Sequence, residues 1–309
     1  GNQSTLPEGL AFGNGRIEAD QIDISAKSAG RLRNVLVQEG DLVSAGQTLA
    51  QIDATELEAQ RAKYLADETA EEASMLEAEA LVAQREAEYK LREANLQRAL
   101  ALVDKAAVSI QSRDQAQSER DASRAALEAA KTNVIARERS IQAAKALVAL
   151  IEAQIADATL KSPVKGRVLY RLAKTGEVVG AGGKVLTIID LSEVYMEIYL
   201  PAQQAMQVPI GSEARIQFDR VDFAVPAIVS FVSPEAQFTP KQVETLDERN
   251  NLMFRVKLRV PQELVDKHID QAKSGTRGVG YVRLGSNPPD WPEFLERRFP
   301  GETSEIEGQ

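Results

Sequence analysis

Two short stretches of this chain repeat each other, and roughly a hundred residues without a glycine or a proline separate them. The first runs Ser28-Ala29-Gly30-Arg31 through Leu36 and Gly40 to Val43-Ser44-Ala45-Gly46, Leu49 and Ile52-Asp53. The second runs Ser162-Pro163-Val164-Lys165-Gly166-Arg167 through Leu172 and Gly176 to Val179-Gly180-Ala181-Gly182, Leu186 and Ile189-Asp190. Gly30 to Gly40 is spaced as Gly166 to Gly176, and Gly40 to Gly46 as Gly176 to Gly182. One inserted glycine, Gly183, brings both copies to their Ile-Asp ending. A repeat interrupted in this way predicts one small β domain completed by two distant pieces, with a hairpin thrown out of its side.

The interruption reads as helix. Between Gly46 and Gly166 there is no glycine, and between Pro7 and Pro163 no proline, so the two residues most damaging to a helix interior are missing. Met75, Val82, Tyr89, Leu96 and Val103 recur every seven residues, as do Leu127, Val134, Ile141, Val148 and Ile155. Ala78, Ala99, Ala130, Ala144 and Ile151 supply the second apolar position of a coiled-coil seam. The flanking repeats must rejoin, so the helix must fold back, and the first heptad run stops at Asp104-Lys105-Ala106-Ala107. Ser109 or Ser112 can cap the second arm, and Ser112 with Gln115 has the form of a capping box. Each arm of roughly 50 residues spans about 75 Å.

Outside the hairpin the texture is β. Ile17, Ile22 and Ile24 alternate with polar neighbours, and Val35-Leu36-Val37 and Thr48 to Ile52 are short strands. Further strands are expected over Val194–Leu200, Ala214–Phe218, Ala227–Val232, Met253–Val260 and Gly278–Leu284, punctuated by Pro201, Pro209, Gly211, Pro226, Pro234 and Pro261. Such spacing suggests a small antiparallel barrel. Gln262 to Lys273 is expected to hold a short helix. The expected class is α+β: a lead at 1–12, a split β domain at 13–53 and 159–190, a hairpin at 54–158 with its tip near 104–109, a barrel at 191–285, and an extended tail at 286–309.

Several functions are excluded or disfavoured by composition. There is no cysteine, so disulfides, thiolate metal sites and cysteine nucleophiles are ruled out. The one histidine, His268, sits in the polar run Asp266-Lys267-His268-Ile269-Asp270 and lacks the partners of a metal site. A net charge of -9 without clustered Lys and Arg argues against nucleic acid as the partner. Glu68, Glu71, Glu72, Glu77 and Glu79 fall on a helix expected to be solvated, so they read as surface charge and not as acid–base pairs. Gly180-Ala181-Gly182-Gly183 has no helix after it and is a poor phosphate loop. No run approaches the roughly 20 apolar residues of a membrane span, and no signal peptide is legible. The start Gly1-Asn2-Gln3-Ser4 lacks an initiator methionine, so an upstream anchor or signal is expected.

A split β domain with an inserted helical hairpin and a following barrel resembles the periplasmic adaptors, or membrane fusion proteins, of the HlyD type. The two repeats resemble the half-motifs of lipoyl or biotinyl carrier domains, so the expected β domain is a lipoyl-like barrel-sandwich hybrid. The resemblance covers about Gly13 to Leu284. It implies a non-enzymatic adaptor without cofactors, located in the periplasm of a Gram-negative bacterium and held at the inner membrane. The partners implied are an inner-membrane exporter, a TolC-like outer-membrane channel and further copies of the chain in a hexameric ring. The family's channel-binding signature of Arg, three residues, Leu, six residues and Ser falls on Arg98, Leu102 and Ser109, at the turn that the heptads locate independently. Its extension falls on Asp114 and Ala116, which support the tip. Leu102 can also serve as a hydrophobic clamp, Ser109 as an N-cap and Arg98 as a solvated flank. Phe231 to Lys241, with Arg255-Val256-Lys257, resembles adaptors of ABC-type exporters, whereas those of resistance-nodulation (RND) pumps usually continue into another domain.

Three other readings are open to the same features. An adaptor of an RND or MFS pump would share the fold. A biotin or lipoate carrier would present a lysine where the coiled coil stands, and no Met-Lys-Met-like sequence exists. A coiled-coil scaffold without a transport role is compatible with the heptads alone.

Overall fold

The computed structural model describes residues 6–237, 252–268 and 273–298. In chain order these form β1 (Leu10–Ser25), β2 (Gly30–Val35), β3 (Leu42–Val43), β4 (Thr48–Ile52), α1 (Thr55–Asp104), α2 (Ile110–Asp157), β5 (Thr159–Lys161), β6 (Gly166–Arg171), β7 (Val178–Val179) and β8 (Lys184–Pro201). Then follow α3 (Ala202–Ala205), β9 (Glu213–Phe218), β10 (Ala224–Gln237), β11 (Met253–Arg259), α4 (Gln262–Lys267), β12 (Arg277–Arg283) and α5 (Glu293–Glu296). The chain divides into two compact units. One comprises Gly1–Ala26, Leu32–Ala50 and Leu160–Gln309, and the other Lys27–Arg31 and Gln51–Thr159.

In the first unit the two repeats grip each other through reciprocal backbone hydrogen bonds. Leu32 N–H donates to Glu177 O (2.8 Å) and Gly176 N–H to Leu32 O (2.7 Å). The equivalent residues answer: Val168 N–H donates to Asp41 O (2.9 Å) and Gly40 N–H to Val168 O (2.8 Å). A second reciprocal set joins Ser162 to Gly46 and Gln47, and its counterpart joins Ala26 to Gly182 and Gly183. The turns themselves are copies. Asp41 Oδ2 accepts from Gln38 N–H as Glu177 Oε2 accepts from Lys174 N–H, each at 2.9 Å. Gly40 and Gly176 both lie at φ 90°, and Gly46 and Gly182 at 82° and 79°. That region costs an L-residue roughly 1–2 kcal/mol, which is why glycine recurs at these spacings.

The same unit holds the barrel. Its strands run β1-β12-β9-β10-β11-β8, and β8 pairs again with β1 to close the ring, while β6 and β3 extend the sheet beyond β8. Closure leaves no open edge in the ring. Two long strands make it possible. β1 pairs with β12 over Leu10–Arg16 and with β8 over Ile17–Ser25. Strand β1 begins at Leu10, inside the stretch read as a lead at 1–12. The barrel therefore draws a strand from the amino-terminal region, ahead of the expected 191–285. Alternation sends Met196, Ile198 and Leu200 of β8 inward beside Ile216, Val229, Val256, Leu258 and Val282, all buried.

The tail at 286–309 is expected to lie extended, and its described part, which ends at residue 298, is packed instead, while 299–309 fall outside the described residues. Trp291 is 8% exposed and lies between the Arg215 and Arg283 guanidiniums, 4.8 and 4.7 Å from its ring centroid. Leu295 of α5 joins Leu10, Ala224 and Trp291 in a second small core. Stacking of this kind satisfies an apolar ring and two weakly hydrated cations together, and Glu213 lies within 3.8 and 3.2 Å of the two arginines. Burial pushes the Arg215 pKa below its ordinary value.

Replacing Gly176 by alanine is expected to lower the stability of this unit by about 1–2 kcal/mol. The Gly180→Ala change, at a glycine with open space around it and no positive φ, should cost far less. Urea unfolding followed by the fluorescence of Trp291, the only tryptophan, distinguishes the two, and equal effects would remove the conformational role assigned to Gly176.

Candidate functional site

The second unit is an antiparallel pair, α1 of 50 residues and α2 of 48. At its base Ile52 N–H donates to Ala158 O (2.7 Å), Asp53 N–H to Arg31 O (2.8 Å), and Lys27 Nζ lies 3.2 Å from Asp157 Oδ2. Ile52 and Ala158, more than a hundred residues apart in sequence, are thus direct neighbours. Asp53 Oδ1 accepts from the Thr55 amide and hydroxyl at the start of α1, and Glu56 and Glu58 in the first turn suit the positive end of the helix dipole.

Along the arms the heptad positions face each other. Ala78, Leu96, Leu127, Ala130, Ala144, Val148 and Ile151 are all buried. Alanine at so many seam positions lets two helices approach closely, at the cost of little apolar area per layer. Register near the turn is marked by polar pairs across the seam. Arg92 Nη1 lies 3.0 Å from Glu119 Oε2, Arg120 Nη1 3.2 Å from Glu93 Oε2, and Arg124 donates to the Tyr89 hydroxyl at 3.4 Å. That hydroxyl holds the Arg124 pKa above its ordinary value. Glu71 departs from the solvated acidic row expected for it. Its Oε2 is buried without a hydrogen-bond partner, whereas Glu72, Glu77 and Glu79 are exposed.

The turn is built almost entirely by the backbone. Ala107 N–H donates to Leu102 O and Ala106 N–H to Val103 O, each at 2.9 Å, the paired bonds of a Schellman ending. The residue that reverses the chain is Ala106 at φ 55°, where glycine is usual. Sequence reasoning missed this, because nothing about an alanine announces left-handed backbone. Ser109 is the N-cap of α2, its Oγ accepting from Ser112 N–H at 3.1 Å. The alternative cap with Gln115 does not form, since Gln115 Nε2 donates to Glu119 instead.

The five expected tip residues divide by role. Arg98 is exposed and donates from Nη1 to Asn95 Oδ1 at 3.1 Å. Leu102 contributes its carbonyl to the turn while its side chain stays 41% exposed, so it clamps little. Ser109 caps. Asp114 is exposed and accepts from Arg113, 3.3 Å away, and Ala116 is half-buried. A further apolar residue, Ile110, stands 61% exposed beside the cap, and no heptad marks it. Among the described residues no cluster could hold a metal ion, and no helix is long and apolar enough to cross a membrane.

Two substitutions are expected to act in opposite directions on thermal unfolding of the hairpin followed by far-UV circular dichroism. Ala106→Gly relieves the left-handed strain and should stabilise by up to about 1 kcal/mol. Ser109→Ala leaves the amide of Ser112 without its cap and should cost about 1 kcal/mol. Destabilisation by Ala106→Gly would contradict the turn geometry.

Comparison with known proteins adds to this geometry. Residues 20–191, which contain both repeats and the hairpin, match the family described as RND MFP, barrel-sandwich hybrid domain. The UPF0194 membrane protein Ent638_1286 of Enterobacter sp. (strain 638) is 31% identical over 285 residues, covering 84% of this chain and 85% of that protein. The UPF0194 membrane protein YbhG of Salmonella arizonae is similar to the same extent over the same shares. Among solved structures, MacA from Actinobacillus actinomycetemcomitans superposes with a TM-score of 0.61 at 19% identity, over 90% of this chain and 79% of that one, a likeness of fold. Two interlocked half-motifs, a long hairpin between them and these matches lead to one conclusion: the chain belongs to the membrane fusion proteins, the non-enzymatic adaptors of efflux systems.

Proposed function

We propose that the chain is a periplasmic adaptor of the HlyD type that links an inner-membrane exporter of the ABC class to a TolC-like outer-membrane channel through its hairpin turn, acting as a hexameric ring. The observation that carries this reading is the turn between Asp104 and Ser109. There two helices of nearly equal length end together, and Arg98, Leu102 and Ile110 leave polar and apolar surface exposed. A guanidinium so placed can donate several hydrogen bonds to carboxylates or carbonyls on another protein. Exposed leucine and isoleucine next to it are costly unless covered. In this reading Arg98, Leu102 and Ser109 meet the channel, while Asp114 and Ala116 hold the first turn of α2. The adaptor function depends on length, register and tip chemistry and calls for no catalytic group or cofactor.

The ABC assignment rests on sequence resemblance in Phe231 to Lys241 and Arg255-Val256-Lys257, of which 238–241 fall outside the described residues. An RND pump is the second reading, favoured by the wording of the family description that the chain matches. Isolating the complex from cell envelopes separates the two by the class of transporter recovered.

Charge reversal at the tip tests the channel contact. Arg98→Glu is expected to abolish co-purification with the channel and to stop export while leaving the helix content unchanged. Association and export at the level of the unsubstituted protein would overturn the tip assignment.

A further inference from the structure

One end of the barrel carries a loop that the adaptor reading leaves unused. Strand β8 leaves the repeats at Asp190, where it pairs with Gly166 of β6, and finishes at Pro201, opposite Met253 at the start of β11. The segment that follows, through α3 to β9, is therefore at the barrel end remote from the repeats. Met206 in this segment is 86% exposed, the highest value for a large apolar side chain among the described residues, and Ile210 is 67% exposed.

Exposed apolar residues standing singly are ordinary, but two features set this pair apart. The loop that presents them is fastened. Ala205 and Val208 bury themselves in the barrel core, and the amides of Met206, Gln207 and Val208 donate to the carbonyls of Ala202, Gln204 and Ala205. Gly211 N–H donates to Val229 O at 2.7 Å, and Ser212 N–H closes a turn onto Pro209 O at 3.2 Å, with Ile210 at its apex. The surroundings also carry no charge. Between Glu197 and Glu213 there is no charged residue, in a chain of which 27% is charged, and there is none between Arg283 and Asp290. These two segments touch, because Gly285 N–H donates to Gln207 O at 2.8 Å.

Fastening and neutrality together favour a lipid surface over a protein partner. A protein interface surrounds its apolar centre with a polar rim, and charges on that rim steer the partner. Below the headgroups of a bilayer, charge is costly and backbone amides must be bonded within the protein. The loop answers both demands: it holds no ionisable side chain, and its amides at Met206, Gln207, Val208, Gly211 and Ser212 are engaged internally.

We propose that Met206 and Ile210 insert into the headgroup–acyl boundary of a lipid bilayer, so that this end of the barrel rests on the membrane itself. The inference rests on the adaptor reading only for the presence of an inner membrane beside the chain. Two side chains make a shallow contact, weak by itself, that acts once the protein is held at the surface, where the effective concentration of a tethered group is in the millimolar range.

The chain has no cysteine, so Met206→Cys, Ile210→Cys and the control Ser274→Cys each accept a single NBD fluorophore. Ser274 is exposed and precedes β12, whose other end leads to Gly285, so it marks the opposite end of the barrel. The full chain is attached through an amino-terminal hexahistidine tag to phosphatidylcholine vesicles that contain a nickel-chelating lipid. Quenching by doxyl-labelled acyl chains should be several-fold stronger for the Met206→Cys and Ile210→Cys chains than for Ser274→Cys. Adding Met206→Asp to the Ile210→Cys chain should cut that quenching several-fold without changing the far-UV circular dichroism. Quenching no stronger than at Ser274, or indifferent to Met206→Asp, would overturn the proposal. Quenching that appears only after an ABC-class exporter is reconstituted in the vesicles would assign the loop to a protein partner and overturn it as well. No channel or export step enters the assay, so failure here is distinct from failure of the Arg98→Glu test of the adaptor reading.

Discussion

Reciprocal hydrogen bonding between the repeats is the constraint on which the first unit depends. Leu32 and Val168 each lend a backbone N–H and C=O to the glycine turn of the other copy. Ala26 and Ser162 do the same one turn further along. The amides of Gly40, Gly46, Gly176 and Gly182 all donate to the other copy, so each copy alone would leave these turn amides unpaired, a penalty comparable to a lost hydrogen bond at each site. Even the endings correspond, since Asp53 accepts from Thr55 as Asp190 accepts from Ser192. The domain is therefore a two-part lock with approximate internal symmetry, and the chain between its halves is free to become something else.

What it becomes obeys different physics. The hairpin is stabilised locally, by helix propensity over long alanine-rich arms and by a thin seam of small and aliphatic side chains. Each layer buries little, and length compensates. The Arg92–Glu119 and Glu93–Arg120 pairs across the seam add little stability when exposed. They penalise a slipped register, because a shift by one turn would strand them. Neither arm places an opposing charge in its terminal turn at the reversal. The dipoles there are met by the Schellman bonds and the Ser109 cap alone.

The β unit is also more tightly self-fastened than a simple barrel. Strand β1 pairs with β12 and β8, and β8 pairs with β1, β11 and β6, so the barrel and the interlocked repeats share a continuous backbone. The Arg215–Trp291–Arg283 stack fastens the carboxy-terminal segment to β9 and β12. On the hairpin unit the turn exposes polar and apolar groups together, Arg98 with Leu102 and Ile110.

Sequence alone determined the parts whose signals are periodic or repeated. Equal glycine spacing disclosed the split domain because tight turns admit almost no other residue. Seven-residue recurrence gave the arms, and its interruption gave the reversal. The alternation in β8 and β11 marked barrel strands correctly. Tertiary structure decided what depends on distant partners. That Leu10 already belongs to a barrel strand follows from β12, which lies at the other end of the chain. That Ala106 turns left-handed follows from the geometry of two arms closing on it. That Trp291 packs between two arginines follows from strands β9 and β12 meeting side by side. Local periodicity writes an element's type into the chain. Which elements become neighbours is fixed by long-range pairing, and no short window of sequence contains both partners.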